Sequence, residues 1–297
     1  MSMAAELIGL LRCPTCASRL DRIDGCDVCG PFLFSSGQPI LVDFERSILD
    51  RDAFIAAEGS SPVPRHTSRI RSAIRRVLFG VNSAAERSAG RMLQDIGPTG
   101  RVLVIGGGSI GSGANRLYAA GRTIGTDIYA SPNTCLVADG HNLPFVEASF
   151  DGVWIQAVLE HVLDPERVVS EIHRVLKPGG VVFSDTPFMQ QVHEGAYDFS
   201  RFSLGGHRWL FRRFAVLEAG ATAGAGTGLI WAWRYFWRAL FRSDKAAWVL
   251  TLPFFWLRFF DGKGRWQEDA ACGAYLYARK ADAEITHADV IAFYKSR

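Results

Sequence analysis

The 297-residue chain lacks a dominant charge: 33 Lys and Arg against 30 Asp and Glu leave a formal +3. That near balance argues against nucleic acid as a partner, because nucleic-acid-binding domains present a strongly basic face. No run of 18 uncharged apolar residues occurs, so no segment reads as a membrane-spanning helix. The N-terminal MSMAAELIGLLRCPTC has neither a basic start nor a small-residue cleavage site, and a cytoplasmic protein is expected. Internal repeats and low-complexity runs are also missing. Cysteine is scarce away from residues 13–29; Cys135 and Cys272 stand alone, which excludes a disulfide framework and fits a reducing compartment. With 48% hydrophobic and 21% charged residues the chain is neither disordered nor polytopic, and its length predicts about two domains at roughly 150 residues each.

What is present is unevenly spread. Cys13-Pro14-Thr15-Cys16 and Cys26-Asp27-Val28-Cys29 form two C-x-x-C turns, which together supply four thiolates for a tetrahedral zinc ion. A four-cysteine shell leaves no open coordination position, so the spacing predicts a structural zinc ribbon over 1–45. Residues 46–92 read as an Arg-rich helical linker, interrupted at Gly59-Ser60-Ser61-Pro62-Val63-Pro64 and carrying Arg65, Arg69, Arg71, Arg75 and Arg76. From Arg101 onward strands alternate with helices, the signature of an α/β, doubly wound, mostly parallel sheet.

The strand Arg101-Val-Leu-Val-Ile105 runs into Gly106-Gly107-Gly108-Ser109-Ile110-Gly111, a loop where glycines permit a tight turn and close backbone approach to a ligand. Asp127, about 20 residues on, can accept ribose hydroxyls. These two features fit a nicotinamide or flavin dinucleotide as well as any other nucleoside cofactor. The residues that follow are more specific: Val137-Ala-Asp139-Gly140-His141-Asn-Leu-Pro144-Phe145, Ser149-Phe-Asp151-Gly-Val-Trp154-Ile-Gln156-Ala-Val-Leu-Glu160-His161-Val-Leu-Asp164-Pro165 and Glu171-Ile-His-Arg174-Val-Leu-Lys177-Pro178-Gly179-Gly180.

As a set, these segments resemble the class I S-adenosylmethionine-dependent methyltransferases of the type 11 group over about residues 100–215, with a return at 273–280. The resemblance implies a Rossmann-like fold over 93–282 and S-adenosylmethionine as cofactor. It assigns Gly106, Gly107 and Gly108 to the cofactor loop and Asp127 to the ribose. Ile128, Asp139, Gly140 and His141 are assigned to the adenine, and Gln156 to the methionine end. The sequence departs from the family at Val104, where Asp or Glu usually stands. Glu160 and His161 read as a helix start that they cap or brace. The cysteine segment separately resembles the zinc ribbons in front of bacterial methyltransferases and the zinc-ribbon activator subunit of tRNA and release-factor methyltransferases.

Residues after the strand Val181-Val-Phe-Ser-Asp185 face the cofactor crevice by the general rule for open α/β sheets. There His193 is the candidate general base, Asp198 its orienting partner and Arg201 the anchor for an anionic group, a bracing Asp198–Arg201 ion pair being the alternative. Of the aromatic residues (8 Trp, 7 Tyr, 20 Phe), twelve fall between Trp231 and Phe260, in an insertion expected over 219–262 before the last strand. Arg234, Arg238 and Arg242 recur every four residues, one stripe of a helix. Such a stripe beside bulky rings fits an interfacial helix, so 229–260 is read as an active-site lid, a homodimer interface or a peripheral contact with the inner membrane. A tail over 283–297 completes the chain. The leading reading is a methyltransferase acting on a small-molecule or lipid-linked acceptor of saccharide or polyprenyl type. An rRNA or tRNA methyltransferase and a non-catalytic cofactor-binding partner subunit are the alternatives.

Overall fold

The computed structural model describes residues 7–57, 60–61, 69–262 and 264–296. Arg65 and the Pro62-Val63-Pro64 break lie outside the described residues, as do the side chains of Arg69 and Arg71. Near the N-terminus, β1 (Gly25–Cys26) and β2 (Gly30–Pro31) pair antiparallel across the second C-x-x-C turn. β3 (Leu33–Ser35) and β4 (Gln38–Leu41) follow, then helices α1 (Arg51–Ala56), α2 (Arg69–Phe79) and α3 (Ser83–Ile96). Asp50 and Asn82 cap α1 and α3, each accepting the backbone N–H three residues on.

The alternating pattern continues through β5 (Val102–Ile105), α4 (Ala114–Ala119), β6 (Thr123–Asp127), β7 (Leu136–Ala138), β8 (Phe150–Gln156), α5 (Pro165–Val175) and β9 (Leu176–Pro187). It ends with α6 (Leu204–Leu210), β10 (Phe214–Ala223), α7 (Ala225–Phe241), α8 (Asp244–Thr251), α9 (Arg265–Asp269), β11 (Gly273–Lys280) and α10 (His287–Lys295). One nine-stranded sheet runs β10-β11-β9-β8-β5-β6-β7-β4-β3. Strands β4 to β9 pair parallel, while β11 is antiparallel to both β9 and β10. The chain leaves β5 toward β6 and β7 and then returns to place β8 on the other side, so the strand order reverses there and opens a crevice at the C-terminal ends of β5 and β8. The Rossmann-like α/β sheet expected from the alternating pattern is therefore present.

The cysteine segment is fastened to this sheet. Leu11, Cys13, Leu20 and Cys26 are buried in the same core as Leu143, Phe145 and Phe150. The Arg12 backbone N–H donates to the Pro144 carbonyl at 3.0 Å, and its guanidinium reaches Asn142 and Glu171 at 3.2 Å each. β4 then adds to the edge of the sheet, aligning Ile40 with Val137 and Leu41 with Ala138.

The aromatic-rich residues form α7, α8 and a 3-10 stretch over Leu252–Phe260, all between the antiparallel strands β10 and β11. Pro253 stands at the start of the 3-10 stretch, where the α-helix has already ended. The expected cationic stripe is corrected: Arg234 is buried, 4.2 Å from the Trp248 ring centroid and 3.3 Å from Asp244. Asp244 at the start of α8 also pairs with Arg238 at 3.3 Å, but Arg238 and Arg242 stay exposed, so only the first member of the stripe is covered. Leucine and aromatic side chains also face out, among them Phe236, Leu240, Phe241, Trp256 and Phe259. Among the described residues no helix is long and apolar enough to cross a membrane.

His207 on α6 is fully enclosed; its Nε2 lies 2.9 Å from Ser184 Oγ and burial holds its pKa down to about 3. An unfolded histidine titrates near 6.5, so stability is unaffected by this group above that pH and is lost as pH falls from 6.5 toward 3, where only the unfolded chain takes up the proton. Denaturant titrations between pH 6 and 4 should show His207→Leu reducing the slope of stability against pH by up to ~1.4 kcal/mol per pH unit. An unchanged slope would show that His207 is not buried in its neutral form.

Candidate active site

The glycine loop leaves β5 through Gly106, at φ +78°, with the backbone N–H groups of Gly106 and Gly107 both donating to the Thr126 carbonyl at 2.9 Å. A side chain at Gly108 would sit 2.7 Å from Asp127 Oδ2 and closer still to the Tyr129 ring, so only glycine fits. Asp127, at the end of β6, accepts the Gly108 N–H at 2.8 Å and the Ile128 N–H at 2.7 Å. Val104 is packed in the core, and at the far end of the loop Glu86 of α3 accepts the Gly113 N–H at 2.9 Å.

At the end of β8, Gln156 donates to Asp185 at 3.2 Å, and Asn82 donates to the same oxygen at 2.7 Å. Both donors are neutral, and burial pushes the Asp185 carboxyl up to about 7. Gln156 Oε1 is buried without a hydrogen-bond partner, beside Gly111, where a Cβ would lie 2.4 Å from it. An orphaned acceptor next to a buried carboxylate, at the mouth of a glycine loop, suits a ligand that brings N–H donors and positive charge. The methionine end of S-adenosylmethionine has both, so these residues fit the cofactor that the sequence implies.

The adenine-side residues are more occupied. Asp139 Oδ1 accepts the His141 N–H at 2.9 Å and lies 2.6 Å from His141 Nδ1, while Oδ2 accepts from Ser47 at 2.5 Å. Burial acts to raise the Asp139 pKa, but the bonds from His141 and Ser47 outweigh it and hold the carboxyl below the usual range. Gly140 and His141 form a short 3-10 turn capped by Asp139. Ile128 and Phe44 pack against the cluster that holds Leu49 and Phe54, so residues assigned to the ribbon and the linker lie beside the residues that the resemblance gives to the adenine. Nothing in the sequence periodicity marks Ser47 or Phe44 for that role.

Residues 188–203 arch over the C-terminal ends of β8 and β9. Phe188 N–H donates to Cys272 O, and Phe199 N–H to Glu160 O at 2.8 Å. The structure brings His193 and Asp198 together: Asp198 Oδ2 accepts the His193 backbone N–H at 2.8 Å and lies 3.4 Å from His193 Nδ1. Partial burial opposes ionisation of Asp198, yet the Arg201 and His193 N–H groups hold it down to about 2.

Arg201 does not take the expected ligand role. Its Nε and both terminal nitrogens donate to the carbonyls of Gln190, Gln191 and Ser200 and to both Asp198 oxygens, which uses all five N–H groups of the guanidinium. Arg201 is therefore the brace of this loop. A cavity of about 520 Å³ lies beside it, lined by Gln190, Gln191, Val192, Phe199 and Tyr235 among others. Tyr235 of α7 closes one side by donating to Val192 O at 2.7 Å.

His193 Nε2 points toward Glu160 Oε1, 3.9 Å away, and His161 Nε2 lies 3.5 Å from the same oxygen. Glu160 and His161 do not start a helix. They form a 3-10 turn, and α5 begins later at Pro165 under an Asp164 cap. Burial pushes the Glu160 carboxyl up to about 8 and lowers both histidines. These are the functional candidates that the sequence reading passed over. The signal was a charged pair inside the apolar frame Val158-Leu159-Glu160-His161-Val162, which a helix-start reading explains away.

At the other end of the chain, the sulfurs of Cys13, Cys16, Cys26 and Cys29 all lie within 4.8 Å of one another, and Cys16 and Cys26 are 3.6 Å apart. Bonds of about 2.3 Å to a tetrahedral zinc require sulfurs about 3.8 Å apart, so the donor set fits.

The family model "Methyltransferase domain" matches residues 105–184, the stretch from the end of β5 through the core of β9. The chain carries a class I methyltransferase domain. A ubiquinone/menaquinone biosynthesis C-methyltransferase of Saccharophagus degradans is 32% identical over 113 residues, covering 37% of this chain and 43% of that protein. The glycine/sarcosine/dimethylglycine N-methyltransferase of Actinopolyspora halophila is 34% identical over 134 residues, covering 35% and 22%. The chain thus spans less than half the length of these relatives. A solved geranyl diphosphate C-methyltransferase from Streptomyces coelicolor is 16% identical, with a TM-score of 0.46 over 75% of this chain and 87% of that one.

Because Arg201 holds three backbone carbonyls, Arg201→Ala should loosen residues 188–203. Limited proteolysis should cut the methyltransferase domain there at least 10-fold faster than in the parent, as expected when a brace worth ~1.4 kcal/mol or more is removed. Cleavage at an unchanged rate would mean that the guanidinium does not hold the loop.

Proposed function

We propose that the protein is an S-adenosylmethionine-dependent methyltransferase acting on a small-molecule or lipid-linked acceptor. The observation that carries this reading is the orphaned Gln156 Oε1 beside Asp185, at the mouth of a glycine loop whose Gly108 N–H is held by Asp127. When bound, the cofactor supplies an electrophilic methyl group on a sulfonium. Gln156 and Asp185 hold its charged methionine end, Asp127 its ribose hydroxyls, and Ile128 with Gly140 the adenine faces. Asp139, already bonded to Ser47 and His141, positions the adenine pocket and fixes His141 within it. The loop braced by Arg201 and the wall formed by Tyr235 exclude water from the crevice, which an in-line displacement requires. The apolar outer face of α7 and the Leu252–Phe260 stretch supports a peripheral membrane contact, which would bring a lipid-linked acceptor to the crevice.

Titration calorimetry with S-adenosylmethionine and with NAD tests the reading. One S-adenosylmethionine should bind per chain and NAD should give no heat. Gln156→Ala should weaken S-adenosylmethionine about 10-fold, the cost of one buried hydrogen bond. Binding of NAD in its place would contradict the proposal.

The four cysteines are proposed to hold a structural zinc that glues the N-terminal segment to the sheet. An organomercurial reagent should release one Zn²⁺ per chain from this cluster and lower the melting temperature of the whole protein, since Cys13 and Cys26 sit in the main core. Release without any change in melting would show that the ribbon folds independently of the sheet.

A further inference from the structure

We propose that Glu160, His161 and His193 form a second metal site, which takes one divalent transition cation beside the acceptor cavity. Glu160 is 0% exposed, and neither of its carboxylate oxygens reaches a hydrogen-bond partner on another residue. A carboxylate so enclosed needs a compensating cation or donor; among the described residues no Lys or Arg forms an ion pair with it, and Arg201, committed to Asp198, acts on it only from a distance.

The two histidines are prepared for coordination. His161 Nδ1 lies 2.7 Å from the Tyr197 carbonyl, and His193 Nδ1 faces the Gln191 carbonyl at 3.3 Å and Asp198 Oδ2 at 3.4 Å. These partners are acceptors, and Arg201 Nη2, 3.5 Å from His193 Nδ1, already donates to Gln191 O and Asp198 Oδ2, so each Nδ1 is assigned the proton and each Nε2 keeps its lone pair. Carbonyl and carboxylate partners on the far nitrogen are the usual outer support of metal-binding imidazoles.

Both Nε2 atoms converge on Glu160 Oε1, at 3.5 and 3.9 Å, and the three ligand atoms lie within 4.8 Å of one another. Those separations are too long for hydrogen bonds. Donors bound at about 2.0–2.1 Å in a tetrahedral shell stand about 3.3 Å apart, so a contraction of a few tenths of an ångström closes the first two gaps. The rings meet edge to face, centroids 5.1 Å apart, so they flank a common point rather than stack. Two imidazoles and one carboxylate suit Zn²⁺, Fe²⁺, Co²⁺ or Mn²⁺ and leave coordination positions open. The class of ligand that fits there is an oxygen donor, such as a hydroxyl, enolate or phosphate on the acceptor. That last step rests on the methyltransferase reading; the metal site itself does not.

Zn²⁺ titration of the full-length chain, with neither cofactor nor acceptor present, tests the site. The metal-depleted protein should bind two Zn²⁺ per chain by calorimetry and elemental analysis. Glu160→Gln, and independently His193→Gln, should weaken one of the two by about 100-fold or more while sparing the other. Cys16→Ser should spare the Glu160 site. A stoichiometry of one per chain abolished by Cys16→Ser, or two sites unaffected by Glu160→Gln and His193→Gln, would overturn the proposal. A chain that binds two Zn²⁺ but no S-adenosylmethionine would leave this site standing and defeat the functional reading instead.

Discussion

Parallel strands deliver their C-terminal ends to one edge of the sheet, and in this protein that edge carries carboxylates. Asp127 ends β6, Asp139 follows β7, Asp185 lies near the end of β9 and Glu160 sits in the turn beyond β8. The strands themselves are apolar and buried, so Asp139, Glu160 and Asp185 are enclosed as well, while Asp127 is half-buried. Asp127 and Asp139 are satisfied by backbone N–H groups and by short side-chain bonds. Asp185 has only neutral donors, and Glu160 has none from another residue. With no ion-paired cation among the described residues, burial holds both carboxyl groups toward their protonated forms in the empty protein. This is why the proposed cofactor suits the crevice: positive charge on a ligand would favour the ionised carboxylates, and a dinucleotide pyrophosphate would oppose them.

The N-terminal segment depends on the same edge. Its cysteine turns bury Leu11, Cys13, Leu20 and Cys26 in the main core and thereby set β4 against β7. From that register the chain places Phe44 over Ile128 and Ser47 onto Asp139. The cysteine segment thus reaches, through β4, the Ser47–Asp139 bond at the C-terminal edge of the sheet. The aromatic insertion acts on the opposite side of the crevice, where Trp231 stacks on Phe79 at 4.9 Å and Tyr235 fastens Val192.

Strong periodicity and glycine chemistry made much of this legible. The apolar run of β5, the glycines after it and Asp127 about 20 residues on are local features, and their spacing alone placed the crevice. The paired cysteines were legible for the same reason. What could not be read were contacts across long stretches of chain: Asn82 to Asp185, Ser47 to Asp139, and Glu160 to His193. The stripe of Arg234, Arg238 and Arg242 failed for a different reason. Helical spacing says which residues share a face but not how much of that face is covered, and α8 with Asp244 buries Arg234 while leaving Arg238 and Arg242 exposed. For Arg201 the sequence leaves an anion anchor and a bracing ion pair with Asp198 both open, and only its hydrogen bonds in the folded chain show the brace.

The central claim is that the crevice keeps buried carboxylates uncompensated until a cationic ligand arrives. Burial pushes Asp185 to about 7, so near pH 7 this group is partly protonated. A cation bound beside it must expel part of that proton. Calorimetry of S-adenosylmethionine binding in buffers of different ionisation enthalpy measures the exchange directly. Release of roughly half a proton per bound molecule at pH 7, reduced in Asp185→Asn, is the predicted result. A binding enthalpy independent of the buffer, or the same release from Asp185→Asn, would contradict the account.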